Sequence, residues 1–186
     1  MKAIRSFIAL ETINKDDIEK LQQELSKHAA FQDNEVKPVK RQNLHFTIIF
    51  LNEVDIATIE KIKYQLSELK FQPIRITYSG IGGFPSLNSA NVIWVGVGEQ
   101  GKSEMIGLAE SVISKMKDIG FRQDKPFTPH MTIYRVKKGK LSASEIFSAY
   151  SATNLGHDVI NKVSLKSSNL TPYGPVYSDI FVVHAK

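Results

Sequence analysis

The sequence predicts an α+β fold: two pseudo-symmetric lobes of antiparallel sheet, with helices on the outer faces and a central active-site cleft. Three observations lead there. Apolar runs of strand length alternate with amphipathic stretches of helical period. The order strand, helix, strand, helix, two strands is followed by helix, strand, helix, two strands, so the second half repeats the first without its opening strand. The tripeptides His45-Phe46-Thr47 and His130-Met131-Thr132 fall at corresponding places in the two halves.

Each element has its own signal. Ile4, Ser6, Ile8 and Leu10 alternate with Arg5, Phe7 and Ala9, a largely buried first strand. Asn14 is a cap for a helix with Ile18, Leu21 and Leu25 on one face. Phe31 to Lys40 is polar and contains Pro38, so it reads as a connection. Leu44 to Leu51 is an apolar run too short for a typical helix and holds the first motif. Asp55 starts a helix carrying Ile59, Ile62, Leu66 and Leu69. Phe71 to Ile81 alternates and ends at Gly82-Gly83, a turn signal. With Asn91 to Val97 it forms a hairpin whose loop includes Phe84-Pro85-Ser86.

In the second half, Ser103 to Lys117 is a helix with Met105, Leu108, Val112 and Met116 inward, stopped by Gly120. Thr128 to Val136 is the second motif strand. Ser142-Ala143-Ser144-Glu145 fits a capping box for a short helix through Tyr150. Val159 to Asn169 and Val176 to His184 are the last strands, joined by Thr171-Pro172-Tyr173-Gly174-Pro175. No linker divides the chain, so residues 1–186 are expected to form a single two-lobed domain, in which exchange of the opening or closing strand between lobes is compatible with the pattern.

Composition narrows the chemistry. The chain has no cysteine, which excludes disulfides, thiolate nucleophiles and thiolate-bound zinc. It has no H-E-x-x-H or EF-hand pattern. The net charge of +5 favours polyanionic partners such as nucleic acid. No apolar run reaches membrane-spanning length, and the N-terminus lacks signal-peptide features, so a cytoplasmic protein without membrane association is expected. A monomer is the default.

The motifs carry the functional reading. On a strand, residues two apart share a face. His45, Thr47 and Ile49 are thus expected on one face and Leu44, Phe46, Ile48 and Phe50 on the other. His130, Thr132 and Tyr134 likewise oppose Met131 and Ile133. If the lobes face each other, the cleft receives two imidazoles and two hydroxyls. That set suits metal-free in-line displacement at a phosphodiester. One imidazole takes a proton from the nucleophile, the other gives one to the leaving oxygen, and the hydroxyls donate to the non-bridging oxygens.

Lys37, Lys40 and Arg41 precede the first motif; Arg135, Lys137, Lys138 and Lys140 follow the second, a rim suited to a nucleic-acid backbone. Phe84, Tyr134 and Tyr173 are candidates for base stacking. Blander readings exist for each: a lone strand histidine is usually structural, threonine favours strands, and basic runs are usually solvated. Two matched motifs in a repeat outweigh them. His28, His157 and His184 have no such pairing and are assigned structural or exposed roles.

Arg5-Ser6-Phe7-Ile8-Ala9-Leu10, Asn43-Leu44-His45-Phe46-Thr47, Gly83-Phe84-Pro85, Ile93-Trp94-Val95-Gly96-Val97 and Phe127-Thr128-Pro129-His130-Met131-Thr132 through Arg135 resemble the 2H phosphoesterase superfamily. So do Ser168-Asn169-Leu170, Pro172, Gly174 and Tyr177. Within the superfamily, the chain is similar to the bacterial and archaeal 2′-5′ RNA ligase group, also called RNA 2′,3′-cyclic phosphodiesterases. The resemblance implies hydrolysis of RNA ends bearing a 2′,3′-cyclic phosphate to 2′-phosphates, with weak reversible 2′-5′ ligation and neither metal nor cofactor. By position it makes His45 and His130 catalytic and gives phosphate contacts to Thr47, Thr132 and Arg135. His130 is assigned as general base and His45 as general acid, and the residues fit the reverse assignment as well.

Ideal alternation puts Arg135 on the face opposite His130, so its contact requires a twist or bulge. Ile49 stands where relatives commonly have Lys. Two other readings share these residues: a phosphodiesterase for another cyclic or 2′-5′-linked nucleotide, and a module that binds RNA ends without turnover.

Overall fold

The computed structural model describes residues 3–32, 35–142, 144–151, 153–172 and 174–186. The first half forms β1 (Ile4–Thr12), α1 (Asp16–Leu25), α2 (Ala29–Gln32), β2 (Val36–Pro38), a 3-10 turn (Arg41–Asn43), β3 (Phe46–Val54), α3 (Ile56–Ser67), β4 (Ile74–Phe84) and β5 (Val92–Val97). The second half forms α4 (Lys102–Asp118), β6 (His130–Val136), α5 (Ser144–Ala149), β7 (Asn154–Thr171) and β8 (Gly174–His184).

The expected helix faces are the buried ones. Ile18, Leu21 and Leu25 of α1, Ile59, Ile62 and Leu66 of α3, and Met105, Leu108, Val112 and Met116 of α4 all enter the core. Asp55 caps α3 by accepting from the Thr58 backbone N–H at 2.7 Å. The N-cap of α1 is Lys15, without a side-chain cap bond, and Asn14, expected as the cap, stands one residue earlier and accepts from the Asp16 N–H at 2.9 Å. The capping box at Ser142 includes Ala143, which lies outside the described residues.

All strand pairings are antiparallel, in one eight-stranded sheet. β1 lies between β3 and β7, β3 touches β6, and β6, β5, β4 and β7 follow in order, which closes a circuit; β8 adds to β7 and β2 to β6. The two halves exchange more than a terminal strand. The β4–β5 hairpin of the first half pairs with β6 of the second. The β7–β8 hairpin of the second half reaches β1 of the first. Each motif strand is therefore grouped with the other half's hairpin. The long β7 joins the groups, pairing with β4 through Asn154–Ile160 and with β1 through Ile160–Ser167.

Two local expectations change. The polar connection before the first motif contains α2 and the short edge strand β2, because Phe31 and Val36 are buried among the core residues. Gly82 and Gly83 are not a turn but lie inside β4, paired with Trp94 and Ile93. A Cβ at Gly82 would sit 2.0 Å from the Trp94 ring, so the missing side chain is what lets the indole lie across the strand.

Candidate active site

The motif strands meet in register at Phe46 and Met131, the middle residues of the two motifs. In an antiparallel ladder this puts His45 across from Thr132 and Thr47 across from His130, and opposed residues share a face. Phe46 and Met131 are fully buried beneath them. Diagonal neighbours in such a ladder are roughly 7–8 Å apart, somewhat less at Cβ, a spacing that lets two imidazoles flank one phosphate. His45, Thr47, His130 and Thr132 all line one cleft of about 1610 Å³.

Both motif strands are irregular at the same place. In the β1–β3 ladder Ala9 pairs with Thr47 and Ile8 with Ile49, so Ile48 bulges. In the β5–β6 ladder Trp94 pairs with Thr132 and Ile93 with Tyr134, so Ile133 bulges. Each bulge reverses the alternation just after the motif threonine and corrects the ideal-strand expectation. Ile49 is buried in the core while still bordering the cleft, and Phe50 turns toward the cleft, 66% exposed. Tyr134 leaves the histidine face. It is buried against Phe31, and its hydroxyl donates to the Gln22 carbonyl. Arg135 thereby joins His130 and Thr132 in the cleft lining, exposed and without an ion pair among the described residues.

The two histidines sit in different surroundings. His130 donates from Nδ1 to the Thr128 carbonyl at 2.7 Å, which leaves Nε2 to exchange a proton. Phe84 and Trp94 meet the His130 ring edge-on, at centroid distances of 5.2 and 6.0 Å. His45 stacks on Phe7 at 5.0 Å and meets Tyr177 edge-on at 5.4 Å. Its Nε2 lies 3.1 Å from Thr47 Oγ1. The Asn43 backbone, two residues before His45 as Thr128 is before His130, favours the charged ring, while His45 Nδ1 is buried without a hydrogen-bond partner among the described residues.

Burial, then the positive charges of Lys166 and Lys15, push the His45 pKa down to about 3. Lys166 is itself buried and ion-paired with Glu11 and Asp179. Burial opposes its charge, but those carboxylates outweigh the effect and hold its pKa above the ordinary value.

Among the described residues seven cations line the cleft, namely Arg5, Lys37, Lys40, Arg122, Lys125, Arg135 and Lys137, and no carboxylate does. The expected rim is partly right. Arg41 is bound instead by Asp16 and Glu19 of α1, and Lys138 by Glu35. Arg5 lies forty residues before the first motif, and Arg122 and Lys125, although close before the second, were not singled out because they stand in a polar connection without a strand pattern. Of the aromatic candidates, Phe84 borders the cleft, Tyr134 does not, and Tyr173 lies outside the described residues. Phe50, Phe7, Trp94 and Tyr177 were missed because their places depend on bulges and on pairing between the halves. His28, His157 and His184 stand outside the lining.

The model of the family described as LigT like Phosphoesterase matches the chain twice, over residues 10–94 and 95–177. The chain belongs to this family. The double match falls on the two halves that the sequence pattern separated. Among relatives of the LigT-like chain, an RNA 2′,3′-cyclic phosphodiesterase of Archaeoglobus fulgidus is 43% identical over 147 residues, 79% of this chain and 82% of the relative. A protein of the same name from Aquifex aeolicus is 33% identical over 183 residues, 96% of this chain and 95% of the relative. The crystal structure of E. coli LigT complexed with 3′-AMP superposes with a TM-score of 0.80 at 22% identity, covering 100% of this chain and 99% of that one, and shows the shared fold. Among the described residues no helix is long and apolar enough to cross a membrane.

Proposed function

We propose that this LigT-like protein is an RNA 2′,3′-cyclic phosphodiesterase that opens the cyclic phosphate to a 2′-phosphate by two-histidine acid–base catalysis. The observation that carries the reading is the Phe46–Met131 register, which sets two imidazoles and two hydroxyls on one face of a cation-lined cleft. The names of the relatives support the choice of substrate. The same reading keeps the protein monomeric and cytoplasmic.

In the proposed reaction water attacks phosphorus on the side opposite O3′. His130 Nε2 takes the water's proton as the new P–O bond forms. The P–O3′ bond breaks, and the electron pair left on O3′ takes a proton from His45. A 2′-phosphomonoester and a 3′-hydroxyl result. Thr47, Thr132 and Arg135 donate to the non-bridging oxygens, where charge builds. A 5′-hydroxyl in place of water gives a 2′-5′ linkage by the same steps.

The pKa of His45 adds a condition. At neutral pH a ring with a pKa of about 3 carries no acid proton. The anionic phosphodiester beside Thr47 supplies the opposing charge that lets His45 bind one. His45 therefore takes up the acid proton from solvent when the substrate binds. Binding of a 2′-nucleotide measured calorimetrically in buffers of different ionisation enthalpy should show proton uptake that His45→Gln removes, whereas uptake unchanged in that variant takes the acid role away from His45.

The activity itself is tested with a cyclic-phosphate-ended oligonucleotide in EDTA, with the product identified. A 2′-phosphate is expected. No turnover, or turnover unaffected in His45→Ala and His130→Ala, overturns the reading.

A further inference from the structure

The two imidazoles are held by different means. His130 Nδ1 donates to the Thr128 carbonyl, but His45 Nδ1 is buried without a hydrogen-bond partner among the described residues. The His45 ring sits instead in an aromatic cage, with Phe7 stacked on it from β1 and Tyr177 edge-on from β8. β7 lies between those two strands, and its Lys166 stands directly across from Phe7 on one side and Asp179 on the other. Opposed residues share a face, as do residues two or four apart along a strand. Phe7 and Glu11 of β1, Lys166 of β7, and Tyr177 and Asp179 of β8 therefore project from one face of these three strands.

The Lys166 side chain is 7% exposed, stays out of the cleft lining and binds Glu11 and Asp179 together. Its ammonium thus bridges the two strands that carry the cage. Stability alone is a weak reason for such a bridge. Desolvation offsets much of the attraction, and an apolar residue of similar volume would hold the sheet as well. Positive charge faces His45 from three elements: Lys166 on β7, Lys15 before α1 and Arg135 on β6. Glu11 and Asp179 turn to Lys166, so the imidazole has no carboxylate partner among the described residues.

We infer that Lys166 is a positioning residue for His45: by tying Glu11 on β1 to Asp179 on β8, it clamps the Phe7 and Tyr177 rings that hold the imidazole beside Thr47. The clamp does for His45 what the Thr128 carbonyl does for His130. It rests on the proposed function for the catalytic role of His45, but not for the orientation of the ring.

Two variants test it. Lys166→Met removes the ammonium and keeps the apolar stem. Asp179→Ala, at a half-exposed side chain, breaks only the β8 arm and leaves Lys166 paired with Glu11, so the fold is kept. On a cyclic-ended oligonucleotide Lys166→Met should lower kcat by roughly 10- to 100-fold, as a displaced catalytic group does. KM should hardly change, because Lys166 does not line the cleft. Asp179→Ala should lower kcat less. Imidazole NMR signals, with His45 assigned by their loss in His45→Gln, read the ring directly. In both variants they should lose the shift imposed by the two aromatic rings. In Lys166→Met they should also titrate at higher pH, since admitted water and a lost positive charge both favour the charged ring. The His130 signals should stay in place. The clamp is overturned if either kcat or the His45 signals keep the wild-type value in the folded variants, even where unfolding stability falls. A wild type inactive on every cyclic end defeats the proposed function, and the His45 signals then decide the clamp by themselves.

Discussion

β3 and β6 carry the same motif through the same backbone irregularity, yet they present different groups to the cleft. Each has a bulge at the isoleucine after the threonine, Ile48 in one and Ile133 in the other. Each bulge brings the residue five positions after the histidine round to the cleft. On β3 that residue is Phe50, and on β6 it is Arg135. The histidines diverge as well. His45 is enclosed by Phe7 and Tyr177, with Lys166 and Lys15 opposing its charge, while His130 is oriented by a backbone carbonyl. A duplicated frame thus carries one imidazole on each strand, and the residues that differ put an aromatic ring on one side of the cleft and a guanidinium on the other.

The comparison is broken most severely by removing either imidazole. His45→Ala and His130→Ala should each lower kcat by about 10²- to 10⁴-fold on a cyclic-ended oligonucleotide, with the fold retained by circular dichroism. A loss confined to one histidine would mean that the two motifs do not share a phosphate. Arg135→Ala comes next. A charged hydrogen bond of about 1.5–3 kcal/mol corresponds to roughly a 10- to 150-fold loss in kcat/KM. Arg135→Lys should recover only part of it, because an ammonium lacks the bidentate fork. Full activity in the alanine variant would show that the bulge on β6 has no catalytic purpose.

Phe50→Ala should act on the other side of the frame. If the exposed ring takes a base, KM should rise several-fold with kcat nearly kept. Equal effects of Phe50→Ala and Arg135→Ala on kcat would remove the division of labour. Gly82→Ala tests the shelf beneath His130. The added methyl meets the Trp94 ring, so a cost of about 1–3 kcal/mol in urea unfolding is expected.

The last prediction concerns pH. His45 has a folded pKa of about 3 against an ordinary value of 6.5, so the unfolded chain binds the proton more readily. Its contribution to stability is complete above pH 6.5 and is lost as pH falls toward 3. The slope is at most about 1.4 kcal/mol per pH unit. Urea midpoints measured across that window should lose this component in His45→Gln, while His130→Gln keeps it.

Much of this was legible because it depends on local pattern. The helix faces of α1, α3 and α4 follow from apolar spacing, and Asp55 announces its cap. The motif histidines were visible because a polar pair inside an apolar strand is conspicuous twice over. Arg135 shows the limit. Strict alternation put it on the wrong face, and only a bulge at Ile133 puts it in the cleft, because an extra residue in one strand reverses every face beyond it. Tyr134 fails as a stacking residue for the same reason. Gly82 read as a turn because its partner, the Trp94 ring, is brought to it by the pairing of β4 with β5.

The sequence by itself determined the α+β class, the repeat, the two histidines with their threonines and the cationic excess. All of these are properties of residue type and spacing. Only the tertiary structure decided that the halves exchange hairpins, that the motifs meet at Phe46 and Met131, and that Phe50 and Arg135 take equivalent places. Those outcomes depend on register between strands far apart in the chain. Register is set by which apolar faces bury against each other, a choice that no single strand contains.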